Sequence, residues 1–428
     1  MLSLNNSNEL SFLIYGLGLT GQSVIKFFQK HNLRNYQVWD DKNKNLFKKK
    51  RSRNLNKSLE DVSHIILSPG VNLNNSKNRR LLLKYKHKII TDIDLVYLFK
   101  RFYKSIVVTG TNGKSTTCKI LYHVLKKIGY KPLLGGNIGT PVLSLAIKKK
   151  NFLIIEASSF QLAYSKYIRP DYAFLLNISN DHLDWHGNMK NYIDSKFKIF
   201  NQQKINQYAF INDNLKKIFI KKKLPGKLII PKINEYRKKK YKIQNSYLNL
   251  DINDENMSYV FAFSKIFKIN EKTLFNSLNT FIGLPHRYEI FLKKKNCIFV
   301  NDSKATSFES TKFALKNLKN IFWIVGGLPK KGDNIKLNYL KKNIIKSYII
   351  GKNTHFFSKQ LKNKVKFKIT KNLKKTILEI FKDIKSYKKN KNIILLSPAS
   401  ASYDQFLNFE ERGNKFKSLC KFYARKSL

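Results

Sequence analysis

The chain has 428 residues, of which 42% are hydrophobic, and its 83 Lys and Arg against 27 Asp and Glu give a formal net charge of +56. This length suggests about three domains of ~150 residues, and the apolar share excludes a disordered basic tail. No apolar stretch approaches the ~20 residues of a membrane-spanning helix, and three widely separated cysteines exclude a disulfide framework or zinc site and favour a cytoplasmic location.

The charge has two possible origins. It is typical of a protein with a polyanionic partner, such as nucleic acid or an anionic membrane, or it reflects A/T-rich codons, which enrich Lys, Asn and Ile together. The chain has 72 Lys but only 11 Arg, and Arg makes the bidentate contacts to bases and phosphates. Its triple-lysine runs are scattered, beginning at Lys48, Lys148, Lys221, Lys238 and Lys293. We therefore expect no nucleic-acid partner and no membrane insertion.

Short apolar runs that end in small or polar residues alternate with helical stretches along the whole chain. Apolar strands separated by helices predict an α/β fold with parallel sheets covered on both faces. The runs cover residues 12–16, 106–110, 152–156, 173–177, 298–302, 322–327 and 393–397. We predict domains at 1–97, 98–283 and 284–428. Ligands of such sheets bind at the carboxyl ends of the strands, so the polar residues there are the candidates for a site.

The first apolar run leads into a glycine loop, GLGLTG at 16–21, which precedes a helix predicted over 22–29. Asp40 and Asp41 end the next strand about 20 residues later, at the spacing of a dinucleotide-binding loop. The pattern favours a nucleotide ligand, with an NAD cofactor as the first candidate, over a tight turn that binds nothing. We expect the turn SPG at 68–70 to line the same crevice.

A second glycine loop, TGTNGKSTT at 109–117, lies between a predicted strand and a predicted helix. The backbone N–H groups of such a loop and the helix N-terminus can cradle phosphates. Lys114 would reach the β- and γ-phosphates, and the hydroxyl of Ser115 would bind Mg²⁺. The first glycine stands three residues before Gly113 instead of five, so the loop is a variant of the standard motif. The predicted ATP-binding residues are Gly110, Thr111, Asn112, Gly113, Lys114, Ser115 and Thr116.

Acidic and histidine side chains follow the neighbouring strands. Glu156 ends the run 152–156, and His182 and His186 come after the run 173–177. Beside a phosphate loop these residues favour Mg²⁺, which takes mostly oxygen ligands. The alternative is that Glu156 caps the following helix and that the histidines bond to the backbone.

Taken in chain order, these segments and several others resemble the Mur ligase family of ATP-dependent amide ligases. The resemblance runs nearly end to end, and ten blocks in the family order leave little room for coincidence. The blocks are GLGLTG (16–21), SPG (68–70), TGTNGKST (109–116), GGNIG (135–139), EASSFQL (156–162), NDHLDWHG (180–187), YIDSKFKIF (192–200), LPHRYE (284–289), NDSKATS (301–307) and SPASASYDQFLNFEERG (397–413).

The resemblance implies a cytoplasmic, monomeric ligase of peptidoglycan precursor synthesis that uses ATP and Mg²⁺. It implies small-molecule substrates, with D-glutamate added to UDP-N-acetylmuramoyl-L-alanine through an acyl phosphate. It also implies Rossmann-like first and third domains around a central P-loop domain. A ligase of the same superfamily that adds a different amino acid is the alternative, whereas an NAD oxidoreductase would explain only residues 12–41.

Residue by residue, the resemblance implies the following roles. The first glycine loop binds uridine diphosphate instead of NAD. Lys196 stands where the family has a carbamylated lysine, a neutral amine that has taken up CO₂ and become a carboxylate-like metal ligand. The implied substrate-binding residues are Leu19, Thr20, Asp40, Asp41, Ser68, Gly70, Asn137, Ser158 and Gln161. The implied catalytic residues are Lys114, Glu156, His182 and Lys196, and the implied metal ligands are Ser115, Glu156, His182 and carbamylated Lys196.

The remaining implied residues lie in the second half of the chain. Those for ATP are Asn253, Asn256, Arg287 and Asp302, and those for D-glutamate are Lys304, Thr306, Lys330, Ser402 and Phe409. The chain departs from the family at Ile252, where a histidine is usual, and at Ser400, where a cysteine is common. Lys331 is the alternative to Lys330. Because lysine is so abundant here, a matching lysine carries less information than Arg287.

Overall fold

The computed structural model describes residues 10–427 except 44, 138, 246, 330–332 and 388–390. The chain divides into two compact units, residues 1–281 and 282–428. Both units are built from β-strands that alternate with helices, which confirms the predicted α/β class.

The first unit begins with a four-stranded sheet whose strands are short and apolar and whose two inner strands are almost fully buried. The strands are β1 (Phe12–Tyr15), β2 (Tyr36–Trp39), β3 (His64–Leu67) and β4 (Ile89–Ile90), and the helices are α1 (Leu19–Lys30), α2 (Leu55–Asp61), α3 (Arg79–Lys84) and α4 (Asp92–Phe99). All pairs are parallel, in the order β2-β1-β3-β4. Helix α1 begins three residues earlier than predicted, inside the glycine loop itself.

A six-stranded sheet follows in the same unit. Its strands are β5 (Lys104–Thr109), β6 (Lys131–Gly136), β7 (Asn151–Glu156), β8 (Tyr172–Leu175), β9 (Tyr208–Ile211) and β10 (Lys227–Ile229). Its helices are α5 (Lys114–Lys127), α6 (Ser159–Tyr164), α7 (Leu183–His186), α8 (Met189–Phe197), α9 (Lys216–Lys221), α10 (Ile233–Arg237), α11 (Asp254–Ile266) and α12 (Glu271–Asn279). The order β10-β9-β8-β5-β7-β6 is parallel throughout. It places the carboxyl ends of β5, β7 and β8 side by side.

One hydrophobic cluster joins the two sheets of the first unit. It contains Phe12 and Ile14 of β1 together with Val107 of β5 and Leu153 of β7. The buried carboxylate of Asp94 adds a polar link, since its Oδ1 accepts hydrogen bonds from the backbone N–H of Lys166 and Tyr167 at 3.0 and 2.7 Å. The two sheets therefore share one packed interior.

The second unit contains one six-stranded sheet with an antiparallel edge. Its strands are β11 (Glu289–Lys294), β12 (Cys297–Asn301), β13 (Ile321–Gly326), β14 (Ile344–Ile350), β15 (Phe367–Lys371) and β16 (Asn392–Leu396), and its helices are α13 (Phe308–Asn317), α14 (Thr354–Leu361), α15 (Leu373–Ser386) and α16 (Phe409–Ser427). The order is β11-β12-β16-β13-β14-β15, in which only β11 is antiparallel to its neighbour. Two separate hydrophobic clusters pack on this sheet.

Short 3₁₀ helices complete the chain. They are Lys48–Lys50, Leu73–Asn75, Lys86–Lys88, Val142–Ser144, Lys198–Phe200, Asp213–Leu215, Lys240–Lys242, Asp251–Asn253 and Asn338–Asn343. Of the helices in the described part of the chain, none combines the length and the apolar character needed to cross a bilayer.

Candidate active site

The first glycine loop depends on a positive φ at one glycine and a close backbone approach at another. Gly16 has a φ of +94°, and a Cβ on Gly21 would lie 2.0 Å from the carbonyl oxygen of Gly16. Two side chains brace the loop, because Ser68 Oγ donates to the Gly16 carbonyl at 2.7 Å and Asp40 Oδ2 accepts from the N–H of Leu17 at 2.7 Å. Ser68 and Asp40 therefore hold the loop in place from the ends of β3 and β2.

The carboxyl group of Asp40 is suited to this bracing role. Burial raises its pKa, but hydrogen bonds from the backbone N–H groups of Leu17, Asn43 and Lys42 outweigh burial and hold the pKa below its usual value. The group therefore stays ionised at neutral pH and keeps accepting these hydrogen bonds.

The open edge of the same loop carries the other predicted substrate residues. Leu19 is 79% exposed at the start of α1, Thr20 beside it is half-buried, and Gly70 is exposed. Asp41 is exposed and is oriented by the hydroxyl of Tyr15 at 2.9 Å and by the amide of Asn78 at 2.9 Å. These residues are accessible to a ligand, in contrast to the bracing pair.

The phosphate loop turns at two glycines after β5. Gly110 has a φ of +151° and Gly113 one of +83°, a region that side chains rarely adopt. The ammonium of Lys114 folds back over the loop and donates to the carbonyls of Gly110 and Thr111 at 2.8 and 2.9 Å. Ser115 and Thr116 lie buried in the first turn of α5, where the helix dipole favours anions.

Two further elements hold this loop. Asn177, at the end of β8, accepts a hydrogen bond from the N–H of Asn112 at 2.8 Å and donates to Glu255 of α11 at 2.8 Å. Asn256, also on α11, lies so close to Gly113 that a Cβ there would meet its Oδ1 at 2.1 Å. The sequence analysis did not single out Asn177 or Glu255 as functional, because no motif links positions so far apart in the chain.

Asn253 and Asn256, the predicted adenine-side residues, are both buried at the start of α11. Asn253 donates to the carbonyl of Tyr247 at 2.7 Å, and its Oδ1 lies 3.5 Å from the amide nitrogen of Asn256. Ile252, which replaces the usual histidine, is about half exposed. The two asparagines therefore lie together beside the phosphate loop.

Lys196 reaches the same loop from α8. Its side chain is 2% exposed, its Nζ donates to the carbonyl of Gly110 at 2.8 Å, and Nζ lies 4.6 Å from the ring centre of Tyr192. Burial lowers its pKa well below the usual value, and the charge of Lys114 lowers it further. Because both lysines donate to one carbonyl oxygen, the structure favours the neutral amine at Lys196.

Glu156 ends β7 with a buried carboxylate that is only partly satisfied. Its Oε1 accepts a hydrogen bond from the amide of Asn137 at 2.8 Å. Its Oε2 is also buried, and no residue that the structure describes donates a hydrogen bond to it. A buried carboxylate oxygen without a donor is costly unless a cation or water satisfies it, so this atom fits a metal ligand.

The two histidines after β8 differ in their surroundings. His182 has a φ of 54°, its Nε2 lies 3.4 Å from Asp181 Oδ2, and its side chain is 42% exposed. His186 is buried, its Nε2 lies 2.9 Å from Ser159 Oγ, and burial lowers its pKa to about 4. His182 is therefore the accessible one, while His186 packs neutral against α6.

No group of three His, Cys, Asp or Glu side chains within the described ranges is arranged to hold a metal ion. The predicted Mg²⁺ ligands Ser115, Glu156, His182 and Lys196 include only two residues of those four types. Besides Glu156 and His182, a metal ion here would need the hydroxyl of Ser115, water molecules and a carbamylated Lys196 as ligands.

The side chains of Ser158 and Gln161 form hydrogen bonds within their own segment of the chain. They form the capping box of α6, in which Ser158 Oγ accepts from the N–H of Gln161 and Gln161 Oε1 accepts from the N–H of Ser158 at 3.1 Å. The amide of Gln161 also donates to the buried Asp92 at 3.3 Å. Both side chains are nearly inaccessible, so they shape the segment after Glu156.

In the second unit, the predicted residues lie around the carboxyl ends of β12 and β16. Asp302 Oδ2 accepts from Ser397 Oγ at 2.8 Å and Asp302 Oδ1 from the N–H of Tyr288 at 3.1 Å. Arg287 is near enough for its charge to act on Asp302. Lys304 lies 3.7 Å from the ring centre of Phe409, at the start of α16.

Two other residues predicted to bind D-glutamate lie in loops of the second unit. Thr306 is half-buried and Ser402 is buried, and Ser402 lies in the same loop as Ser400. Arg412, which the sequence analysis missed, is buried and joins this loop to β12 by donating to the carbonyls of Ser303 and Ser400 at 2.8 and 3.1 Å. Lys330 and its alternative Lys331 lie outside the described residues.

Asp302 gives a prediction for stability against pH. Burial raises its pKa from 3.8 to about 7, so the folded protein holds a proton there that the unfolded chain has lost. Its contribution to the free energy of unfolding is present below about pH 4 and is lost as the pH rises towards 7. Thermal midpoints at pH 5 and pH 7.5 should therefore differ less in Asp302→Asn than in the unmodified chain. An equal pH dependence in both would contradict this assignment.

Comparison with known proteins supports the pattern of motifs. A family model described as the Mur ligase middle domain matches residues 108–283. The chain is 35% identical to a UDP-N-acetylmuramoylalanine–D-glutamate ligase from Wolbachia sp. subsp. Brugia malayi (strain TRS), over 99% of this chain and 98% of that protein. It is 37% identical to the protein of the same name from Buchnera aphidicola subsp. Schizaphis graminum (strain Sg), over 96% and 97% of the two chains.

Solved structures share the fold over almost the whole chain. A MurF ligase from Thermotoga maritima in complex with ADP has a TM-score of 0.59 at 16% identity, covering 100% of this chain and 98% of that one. The UDP-N-acetylmuramate-alanine ligase MurC from the same organism has a TM-score of 0.54 at 14% identity, covering 97% and 100%.

Proposed function

We propose that this chain, which belongs to the Mur ligase family and within it to the UDP-N-acetylmuramoylalanine–D-glutamate ligases, joins D-glutamate to UDP-N-acetylmuramoyl-L-alanine and converts ATP to ADP and phosphate. The observation that carries the proposal is the likeness at 35–37% identity over nearly the full length of several such ligases. We place the reaction in the cytoplasm, as a step of peptidoglycan precursor synthesis carried out by a monomer.

The loop at 109–117 binds the ATP phosphates in this proposal. Its glycines leave room for phosphate oxygens beside the backbone, and the start of α5 supplies N–H donors. Lys114 moves its ammonium from the carbonyls of Gly110 and Thr111 to the phosphates. As a set, Asn253, Asn256, Arg287 and Asp302 are assigned to the adenine, γ-phosphate and ribose of ATP.

Glu156 Oε2, to which none of the described residues donates, and the hydroxyl of Ser115 are oxygen donors of the kind that Mg²⁺ prefers. His182 is assigned to the same ion. When bound, Mg²⁺ would neutralise charge that develops on the transferred phosphoryl group. Asn137 fixes the other oxygen of Glu156 and so orients the carboxylate.

Lys196 supplies a further oxygen ligand once it is carbamylated. The neutral amine that burial and Lys114 favour attacks CO₂ through its lone pair, and the N–C bond forms as one C=O pair moves to oxygen and the nitrogen loses a proton. The proton passes to solvent, and the negative charge of the product is stabilised by the ammonium of Lys114. We assign this modification from the family resemblance and from the burial of Lys196.

Each substrate has its own set of assigned residues. Leu19, Thr20, Asp41 and Gly70 are assigned to the uridine diphosphate moiety, on a loop that Asp40 and Ser68 brace. Lys304, Thr306, Lys330, Ser402 and Phe409 are assigned to D-glutamate, whose two carboxylates suit basic partners.

These residues support a two-step reaction. The carboxylate of the muramoyl substrate attacks the γ-phosphate in line, the bond to ADP breaks, and an acyl phosphate forms. The amine of D-glutamate then attacks the acyl carbon, loses a proton, and phosphate leaves. The basic side chains hold the phosphoryl oxygens during both steps, which is the main demand of phosphoryl transfer.

An amino-acid panel tests the substrate. We expect ATP-dependent phosphate release with UDP-N-acetylmuramoyl-L-alanine and D-glutamate, and at most about 1% of that rate with L-glutamate, L-lysine or meso-diaminopimelate, since the wrong acceptor leaves charged groups unpaired. Release with one of the other amino acids but not with D-glutamate would make the chain a different ligase of the superfamily.

A further inference from the structure

We propose that Glu255 is a positioning residue for the phosphate loop, which it acts on through Asn177, and that it thereby sets the affinity for ATP. The inference rests on the ATP site of the proposed function. Glu255 contacts neither the loop backbone nor the lysines in the contacts described, so its effect would be transmitted by one asparagine.

Asn177 is the link to the loop. Its Oδ1 accepts the N–H of Asn112 at 2.8 Å, and its backbone carbonyl accepts the N–H of Thr111 at 2.9 Å. Its amide nitrogen also lies 3.4 Å from the carbonyl oxygen of Asn112. Asn177 therefore determines the direction of two consecutive peptide groups that precede Gly113.

Glu255 determines which way the Asn177 amide faces. Its Oε2 accepts from Asn177 Nδ2 at 2.8 Å, and its Oε1 accepts from Asn212 Nδ2 at 3.0 Å. Burial raises the pKa of Glu255, whereas the hydrogen bonds from Asn177 and Asn212 favour its ionised form. In that form both oxygens only accept hydrogen bonds, so Asn177 presents its NH₂ to Glu255 and its oxygen to the N–H of Asn112. Without the carboxylate, a flipped amide would set two donors against each other at Asn112.

Asn212 is held in the matching orientation. Its Oδ1 accepts from the N–H of Asn214 at 3.2 Å, which caps the 3₁₀ helix Asp213–Leu215 and leaves the NH₂ for Glu255. Each carboxylate oxygen therefore has one amide donor, from the ends of β8 and β9. The neighbouring Asn256 contacts Gly113, so the first turn of α11 constrains the loop at two adjacent positions.

The test compares Glu255→Ala with Glu255→Gln by calorimetric titration with Mg-ADP and by steady-state kinetics. Because a hydrogen bond to a charged acceptor is lost, we expect Glu255→Ala to weaken Mg-ADP binding and raise KM for ATP by about tenfold. KM for the muramoyl substrate should stay within about twofold. Glu255→Gln keeps an acceptor oxygen for Asn177 but turns its own NH₂ towards the NH₂ of Asn212, so it should lose less affinity than Glu255→Ala.

Two controls separate positioning from general damage. Glu271→Ala removes an exposed carboxylate from α12 of the same unit and should leave both KM values unchanged. Asn177→Ala should weaken Mg-ADP binding. The double variant Asn177→Ala with Glu255→Ala should bind Mg-ADP almost as well as Asn177→Ala alone, since both substitutions interrupt the same series of hydrogen bonds to the loop.

The opposite results overturn the inference. They are unchanged Mg-ADP affinity in Glu255→Ala, equal losses for ATP and the muramoyl substrate, or additive effects of the two substitutions. If Glu255→Ala fails to fold, unchanged Mg-ADP affinity in a folded Asn177→Ala variant would overturn the inference, because that change removes the proposed link to the loop. Absence of Mg-ADP binding by the unmodified chain would refute the proposed function as well, whereas the other results refute the inference alone.

Discussion

Replacement of Lys114 by alanine is expected to reduce ATP-dependent phosphate release by about a thousandfold or more, the scale on which a preorganised charge stabilises a transition state. The ammonium already lies over the loop, 2.8 Å from the Gly110 carbonyl oxygen. The other described lysine on that carbonyl, Lys196, is buried with a lowered pKa, so it supplies no equivalent positive charge. Lys114→Arg should also be poor, because a planar guanidinium does not replace a point charge.

The measurement is phosphate release with all three substrates, together with a thermal unfolding scan. Lys119 offers a matched control, since it lies on α5 and its side chain is exposed. Lys119→Ala should keep full activity. Substantial turnover in a folded Lys114→Ala variant would remove Lys114 from the reaction.

Replacement of Lys196 by alanine is expected to lower kcat by about a hundredfold, as losses of metal-site groups commonly do. The alanine leaves a buried space beside Gly110 where the carbamate is proposed to stand. Formate or acetate should enter that space and restore part of the rate, because either supplies the missing carboxylate oxygens. Rescue should increase with the concentration of the added carboxylate and should saturate.

Lys190 on the same helix is exposed, so Lys190→Ala controls for the loss of one lysine from α8. It should keep its rate and should not respond to formate or acetate. A loss of activity in Lys196→Ala without any rescue would support a purely structural amine. Undiminished activity would exclude both the carbamate and a structural role.

Much of the fold was predictable because burial leaves a local signature. Runs such as 152–156 and 393–397 are apolar on both faces, as central strands of a parallel sheet must be, and the structure contains them as β7 and β16. Glycine loops can likewise be recognised in the sequence, since Gly110 and Gly113 occupy backbone conformations that few other residues adopt. The antiparallel edge strand β11 was not predicted, because its orientation is set by pairing with β12 and not by its own residue pattern.

Local structure around the candidate site followed from contiguous motifs, whereas contacts between distant segments did not. Ser158 and Gln161 match family positions, yet the structure uses them as a capping box and as a contact to Asp92. The pairing of Asn177 with Glu255 spans 78 residues. Such hydrogen bonds follow from tertiary packing, and only coordinates bring the donors and acceptors together.

The interior shared by the first two sheets determines where the chain can be divided. Phe12, Ile14, Val107 and Leu153 belong to one cluster, so separating the segment 1–97 from the rest would leave a large apolar face on each fragment. Exposed faces of that size promote aggregation. Recombinant fragments are therefore better divided between residues 281 and 282. We expect the fragment that ends at residue 281 to unfold in a single cooperative transition, so a destabilising substitution in either glycine loop should lower the same thermal midpoint.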